Sequence, residues 1–127
     1  MGTDAGNESA LAGKDLQVQF LDVGISAVKV QVRQGDGLAG EALVLTFNKD
    51  TFLLATLTWF RLGFRLGDNM GADVATQKQH VYEALVREAA DLAERHGAVL
   101  IAIVGPADVL IERGFEQNGS VWRLAPT

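Results

Sequence analysis

The chain contains no cysteine. A disulfide framework, a thiolate zinc site and a cysteine nucleophile are therefore excluded. It has only two prolines and one tyrosine among 127 residues. No apolar run approaches the roughly 20 residues of a membrane-spanning helix. The longest strongly apolar stretch, Thr51 to Phe60, is too short. The opening residues, MGTDAGNESALAGKD, lack the basic start and apolar core of a signal peptide. Gly6 stands where a myristoylation motif wants Ser or Thr. The expected location is cytoplasmic, with no membrane association. Basic residues are outnumbered, 11 against 16 acidic, for a net charge of −5. General nucleic-acid binding by charge is not expected.

What is present is the composition of a folded domain. Hydrophobic residues make up 48% and charged residues 21%, which excludes a wholly disordered chain. Residues 1–13 are rich in Gly, Ala, Asn and Ser without periodicity, and are expected to form a disordered tail. Residues 14–127 then make one domain. LQVQFL at 16–21 and SAVKVQVR at 26–33 alternate apolar with polar, the mark of half-buried antiparallel strands. QGDGLAG at 34–40 reads as a glycine-rich connection. EALVLTF at 41–47 and TFLLATLTWF at 51–60 flank the turn residues Asn48-Lys49-Asp50, so a hairpin is expected. The 51–60 run is apolar on both faces and predicts a central strand covered on both sides.

RLGFRLGDNMGAD at 61–73 reads as a loop, with Gly63, Gly67 and Gly71. A long helix is predicted from about Val74 to His96, because Val81, Leu85, Ala89 and Leu92 form one stripe that Tyr82, Val86 and Ala93 widen. Glu83–Arg87, Arg87–Asp91 and Asp91–Arg95 are spaced i, i+4 on its polar face. Gly97 is the expected residue after its C-cap. AVLIAIV at 98–104 is a strand, Ala107 to Arg113 a short helix between Pro106 and Gly114, and SVWRL at 120–124 a last strand. The expected fold class is α+β: a mixed, mostly antiparallel sheet with a long helix and a short helix. The helix between strands 51–60 and 98–104 predicts parallel neighbours joined by a crossover.

The stretch from Val81 to Leu124, above all the helix, the His96-Gly97 break, the apolar strand, the short helix and Arg113-Gly114-Phe115-Glu116 with Gly119, resembles the closing half of the GNAT acetyltransferase superfamily. The resemblance implies that family's sheet, with a central strand that splays from its neighbour to admit the pantetheine arm of acetyl-CoA. It implies a pyrophosphate cradle with small residues, spaced Q/R-x-x-G-x-G/A, at the start of the long helix. Counting back from Gly97, that cradle falls on Gln77-Lys78-Gln79-His80-Val81-Tyr82. Gln77 matches the first position, whereas His80 and Tyr82 occupy the two small positions. Many members also carry a tyrosine in the short helix to protonate the leaving thiolate; Val109-Leu110-Ile111-Glu112-Arg113 has none.

A displaced anion site is the alternative. Arg61 and Arg65 with Gly67, Asn69 and Gly71 could hold phosphates if the helix begins nearer Asp73, and Asp68 would then serve as the general base for an attacking amine. The bland reading of that stretch is a solvated glycine-rich loop. No metal is expected: His80 and His96, the only histidines, stand about 24 Å apart along one helix at 1.5 Å per residue. Trp59, Phe60 and Trp122 read first as core, and Trp59 and Phe60 second as the lining of an acyl pocket.

Two functions follow. The first is a non-catalytic GNAT-like domain, or one with altered cofactor binding, that acts as an interaction module for a protein partner or as a homodimer. The second is a small N-acyltransferase that moves an acetyl group from acetyl-CoA to a small-molecule amine.

Overall fold

The structure is a computed structural model that describes residues 16–24, 27–35, 37–60 and 70–126. The expected tail at 1–13 lies outside them. Seven strands form one sheet in the order β1-β2-β3-β4-β5-β7-β6. β1 (Leu16–Gly24), β2 (Ala27–Gln34), β3 (Gly37–Asn48) and β4 (Thr51–Trp59) run as an antiparallel meander. The long helix α1 (Met70–Arg95) leads to β5 (Val99–Ala102), which lies parallel to β4. The short helix α2 (Ala107–Arg113) precedes a closing hairpin of β6 (Glu116–Asn118) and β7 (Val121–Leu124), and β7 pairs with β5. The fold is α+β, mixed and mostly antiparallel, with one long and one short helix.

Register explains where the core sits. Val28, Val44, Leu54, Ala102 and Trp122 are successive partners across five strands. They share one face with Val30, Ala42, Phe52 and Leu100. The predicted helix stripe of Val81, Leu85, Ala89 and Leu92 is buried against this face, and Val86 and Ala93 are buried with it. Leu54, Leu85, Leu100 and Leu110 are fully buried, each contributing about 2 kcal/mol of hydrophobic stabilisation. α2 lies alongside α1: Gln79 Nε2 donates to Asp108 Oδ2 at 3.3 Å and Arg113 Nη2 to Asp91 Oδ1 at 2.8 Å. No helix among the described residues is long and apolar enough to cross a membrane.

Both helices end in the same way. Ala98 N–H donates to Ala93 C=O and Gly97 N–H to Glu94 C=O. At α2, Phe115 N–H donates to Leu110 C=O and Gly114 N–H to Ile111 C=O. These are Schellman caps, and each needs a residue with positive φ, supplied by Gly97 at 67° and Gly114 at 110°. The apolar contact that goes with the motif is Ala93–Ala98 in one case and Leu110–Phe115 in the other, all four residues buried. The Arg113-Gly114-Phe115 signature in the sequence is therefore a helix stop with its hydrophobic latch.

Several details differ from the sequence reading. α1 begins at Met70, one turn before Val74. Gly71 reads as a breaker, but one glycine costs only about 1 kcal/mol even in a helix interior. β3 begins at Gly37, which already pairs with Gln34 of β2. β6 was not expected. Its signal was Gly119-Ser120, a two-residue hairpin turn between the paired Asn118 and Val121, with Gly119 at φ 68°. Finally, β4 lies mid-sheet but its second face is not covered: Thr56 and Thr58 are exposed, and Leu53 and Ala55 only half-buried.

Candidate functional site

β4 changes character halfway along. From Thr51 to Leu54 it pairs with β3 on one side and with β5 on the other. Asp50 C=O accepts from Val99 N–H at 2.9 Å and Leu54 C=O from Ile103 N–H at 3.3 Å, so the even-numbered peptide groups face β5. Val44 partners Leu54 but Leu43 partners Thr56. Ala55 is thus an extra residue, a β-bulge, which reverses the alternation of the strand that follows. Beyond it Phe60 N–H donates to Ala39 C=O at 2.9 Å, so even-numbered groups now face β3. The peptide groups of Leu57 and Trp59 consequently face the β5 side. β5 has ended at Ala102, and no described residue pairs with them there.

The parted strands are bordered on the helix side by α1. Trp59 stands opposite Gly40 on the core face of the sheet. The Lys78 ammonium lies 5.7 Å from the Trp59 ring centroid and 5.9 Å from that of Tyr82. Lys78 and Tyr82 are i, i+4 neighbours, so both reach the same flank of the helix. Gly40 makes this approach fit: a Cβ there would collide with Val81 Cγ1 and lie 3.0 Å from Thr58 O. Across the opening, Val104 packs on the core. The Gln79–Asp108 hydrogen bond fixes the start of α2 to α1. Trp59 Nε1 is buried and has no hydrogen-bond partner among the described residues; a buried donor left unmet costs about 1–3 kcal/mol. A polar carbonyl or carboxylate oxygen would satisfy it. The arrangement offers donors, an aromatic wall and two outward-facing peptide groups to an extended chain.

The sequence-predicted residues fall unevenly around this place. Arg61, Arg65, Gly67, Asp68 and Asn69 lie outside the described residues. Gly71 is the second residue of α1. Gln77 is 4% exposed, and its Nε2 donates to Gln34 Oε1 at 2.6 Å. It ties α1 to the end of β2. Gln77 through Tyr82 are continuously helical, so their N–H groups are spent in the helix ladder. The N–H groups without an intrahelical acceptor belong to the first turn, from Met70 to Asp73. His80 Nδ1 is also buried, with no hydrogen-bond partner among the described residues. Around the helix axis His80 stands about 200° from Lys78 at 100° per residue, so it looks away from the opening. Tyr82 does border it. The cluster of Trp59, Lys78 and Tyr82 went unnoticed in the sequence as a unit, although the Lys78–Tyr82 spacing was its signal.

A second cleft, of about 320 Å³, lies at the other end of α1 between Val28, Thr46, Lys49, Phe52, Leu92 and His96. The His96 ring packs 5.4 Å from that of Phe52. Its Nδ1 lies 2.9 Å from Leu92 C=O, which makes Nδ1 the protonated nitrogen. His96 is a helix-end residue, as its position suggests. Among the described residues no three His, Asp or Glu side chains gather as metal ligands. No protein-family model matches the chain, and no curated protein matches it significantly.

Proposed function

We propose that this chain is a non-catalytic, GNAT-like interaction module. The observation that carries the proposal is the uninterrupted helix through Gln77–Tyr82. Where the resemblance asks for small residues around a phosphate, this chain has a buried glutamine bonded to β2 and a lysine–aromatic cluster packed on β4. A pyrophosphate at that point would find no free amide. The open face of the sheet also favours binding over chemistry. Ala27, Leu45, Leu53 and Ile101 are successive partners across four strands and only half-buried. A half-exposed apolar row of this kind suits a protein surface.

One observation favours the second reading, a small N-acyltransferase. β4 and β5 pair over four residues and then part, with the Leu57 and Trp59 peptide groups turned into the opening. An acyl-CoA arm could pair there, its pyrophosphate on the displaced first turn of α1 and the preceding arginines. A titration with CoA and acetyl-CoA, followed by thermal shift and by amide NMR, decides between them. A ligand at one hundred times its dissociation constant adds about 2.7 kcal/mol. The interaction-module reading expects no saturable shift at millimolar CoA. A saturable rise in Tm of several degrees, with amide changes centred on Leu57–Trp59 and Met70–Tyr82, would replace it with the acyltransferase.

A further inference from the structure

The sheet has two edges, and they are built differently. The β6 edge is three residues long, Glu116-Gln117-Asn118, all polar and all exposed. Short, polar edges resist pairing with another chain. The β1 edge is nine residues long, LQVQFLDVG. It carries no proline, no lysine and one charged residue, Asp22. Nothing among the described residues pairs with its outer side. A bulge between Asp22 and Gly24 interrupts its last residues, but the first six, LQVQFL, carry no charge, proline or bulge to blunt them.

The side chains on β1 point the same way. Phe20, Val30, Ala42 and Leu57 are successive partners on the helix-bearing face. Val30 and Ala42 are fully buried, while Phe20, the outermost, is 41% exposed. The Arg95 guanidinium stands 5.6 Å from the ring centroid. The apolar row thus runs out to the edge and stops at a bare aromatic. One more strand beside β1 would continue the backbone ladder and cover Phe20 in the same step.

We infer that the added strand is β1 of a second copy of this chain, paired antiparallel about a two-fold axis. The strand is complementary to itself. Centred on Gln19, antiparallel pairing sets Gln19 against Gln19, Val18 against Phe20 and Gln17 against Leu21. Centred on Val18, it sets Val18 against Val18, Gln17 against Gln19 and Leu16 against Phe20. In both registers Phe20 meets an aliphatic side chain, a pair worth about 0.2–1 kcal/mol. In neither does Asp22 face its own copy, so no like charges oppose each other. Centring on Phe20 would put Val18 against Asp22, and centring on Gln19 puts Leu16 against it, so the register centred on Val18 is the one that leaves Asp22 outside the paired stretch. The two-fold contact is isologous and closes at two copies, because the β6 edge offers no second long strand.

The absence of cysteine makes the test clean. Gln17 and Gln19 are both exposed. On mild oxidation, Gln19→Cys should cross-link to itself if the register centres on Gln19. If it centres on Val18, Gln17→Cys and Gln19→Cys should cross-link to each other when mixed. Sedimentation of the unmodified chain should show a dimer. The double variant Gln17→Lys/Gln19→Lys opposes lysines in either register and should sediment as a monomer with an unchanged far-ultraviolet circular dichroism spectrum. An unmodified chain that is monomeric at millimolar concentration overturns the inference. So does a dimer that survives the double lysine variant, or one that forms no disulfide with any of the cysteine variants.

Discussion

The two halves of β4 share a strand and little else. Thr51–Leu54 is paired on both sides, and Phe52 and Leu54 are buried. Among the described residues Ala55–Trp59 has β3 as its one strand neighbour, carries two exposed threonines, and ends in a tryptophan whose buried N–H meets no acceptor. A single inserted residue, Ala55, separates them. It moves the inward side chains from even to odd positions and turns the peptide groups of Leu57 and Trp59 outward. The first half holds the sheet together and the second half presents a surface. The lesson is that one bulge lets a central strand do both.

The sharpest way to break this comparison is to truncate a leucine in each half. Leu54→Ala should lose about 2–5 kcal/mol of stability, since the site is fully buried and cannot collapse easily. Leu57→Ala, half-buried beside the opening, should lose less than half as much as the Leu54 variant. Urea denaturation of both variants measures the difference. Equal losses would mean that the second half is as tightly built as the first. Gly40→Ala comes next. The new methyl meets Val81 at a helix–sheet contact, and overpacking of this kind costs about 1–3 kcal/mol. Its crystal structure should show α1 displaced near Val81; a stable variant with α1 in place would contradict the close approach.

The smallest effect is expected at the aromatic wall. Trp59→Phe removes the buried N–H that has no partner and some packing with it. These oppose one another, so stability should change by less than about 1 kcal/mol. A loss above about 3 kcal/mol, by thermal or urea unfolding, would show that the indole nitrogen has a partner in solution. That would remove the unmet donor from the account of the opening.

Much of the fold was legible because period and punctuation are local. The alternation of Val28, Val30 and Val32 defined a strand, and the stripe from Val81 to Leu92 defined a helix and its inward face. Gly97 and Gly114 marked two helix stops. The beginning of α1 was not legible, since Gly71 is a breaker in most contexts and tertiary packing of the later stripe carries the helix past it. The charge pairs were misread for a related reason. The spacing offered Asp91 to Arg87 and Arg95 on its own helix, but Asp91 bonds Arg113 of α2, and Arg87 pairs with its neighbour Glu88. Long side chains on a helix surface choose among partners that only the assembled fold provides.

By itself, then, the sequence determined the class of fold, the order of every element but β6, and the inward faces of β2 and the long helix, because a period of two or of 3.6 is written in neighbouring residues. It also determined that no disulfide holds the chain. The tertiary structure decided what periodicity cannot encode: the bulge at Ala55, the parting of β4 from β5, the Trp59–Lys78–Tyr82 cluster and the bare edge of β1. Each depends on which strand stands beside which, and that is set by packing between residues far apart in the chain.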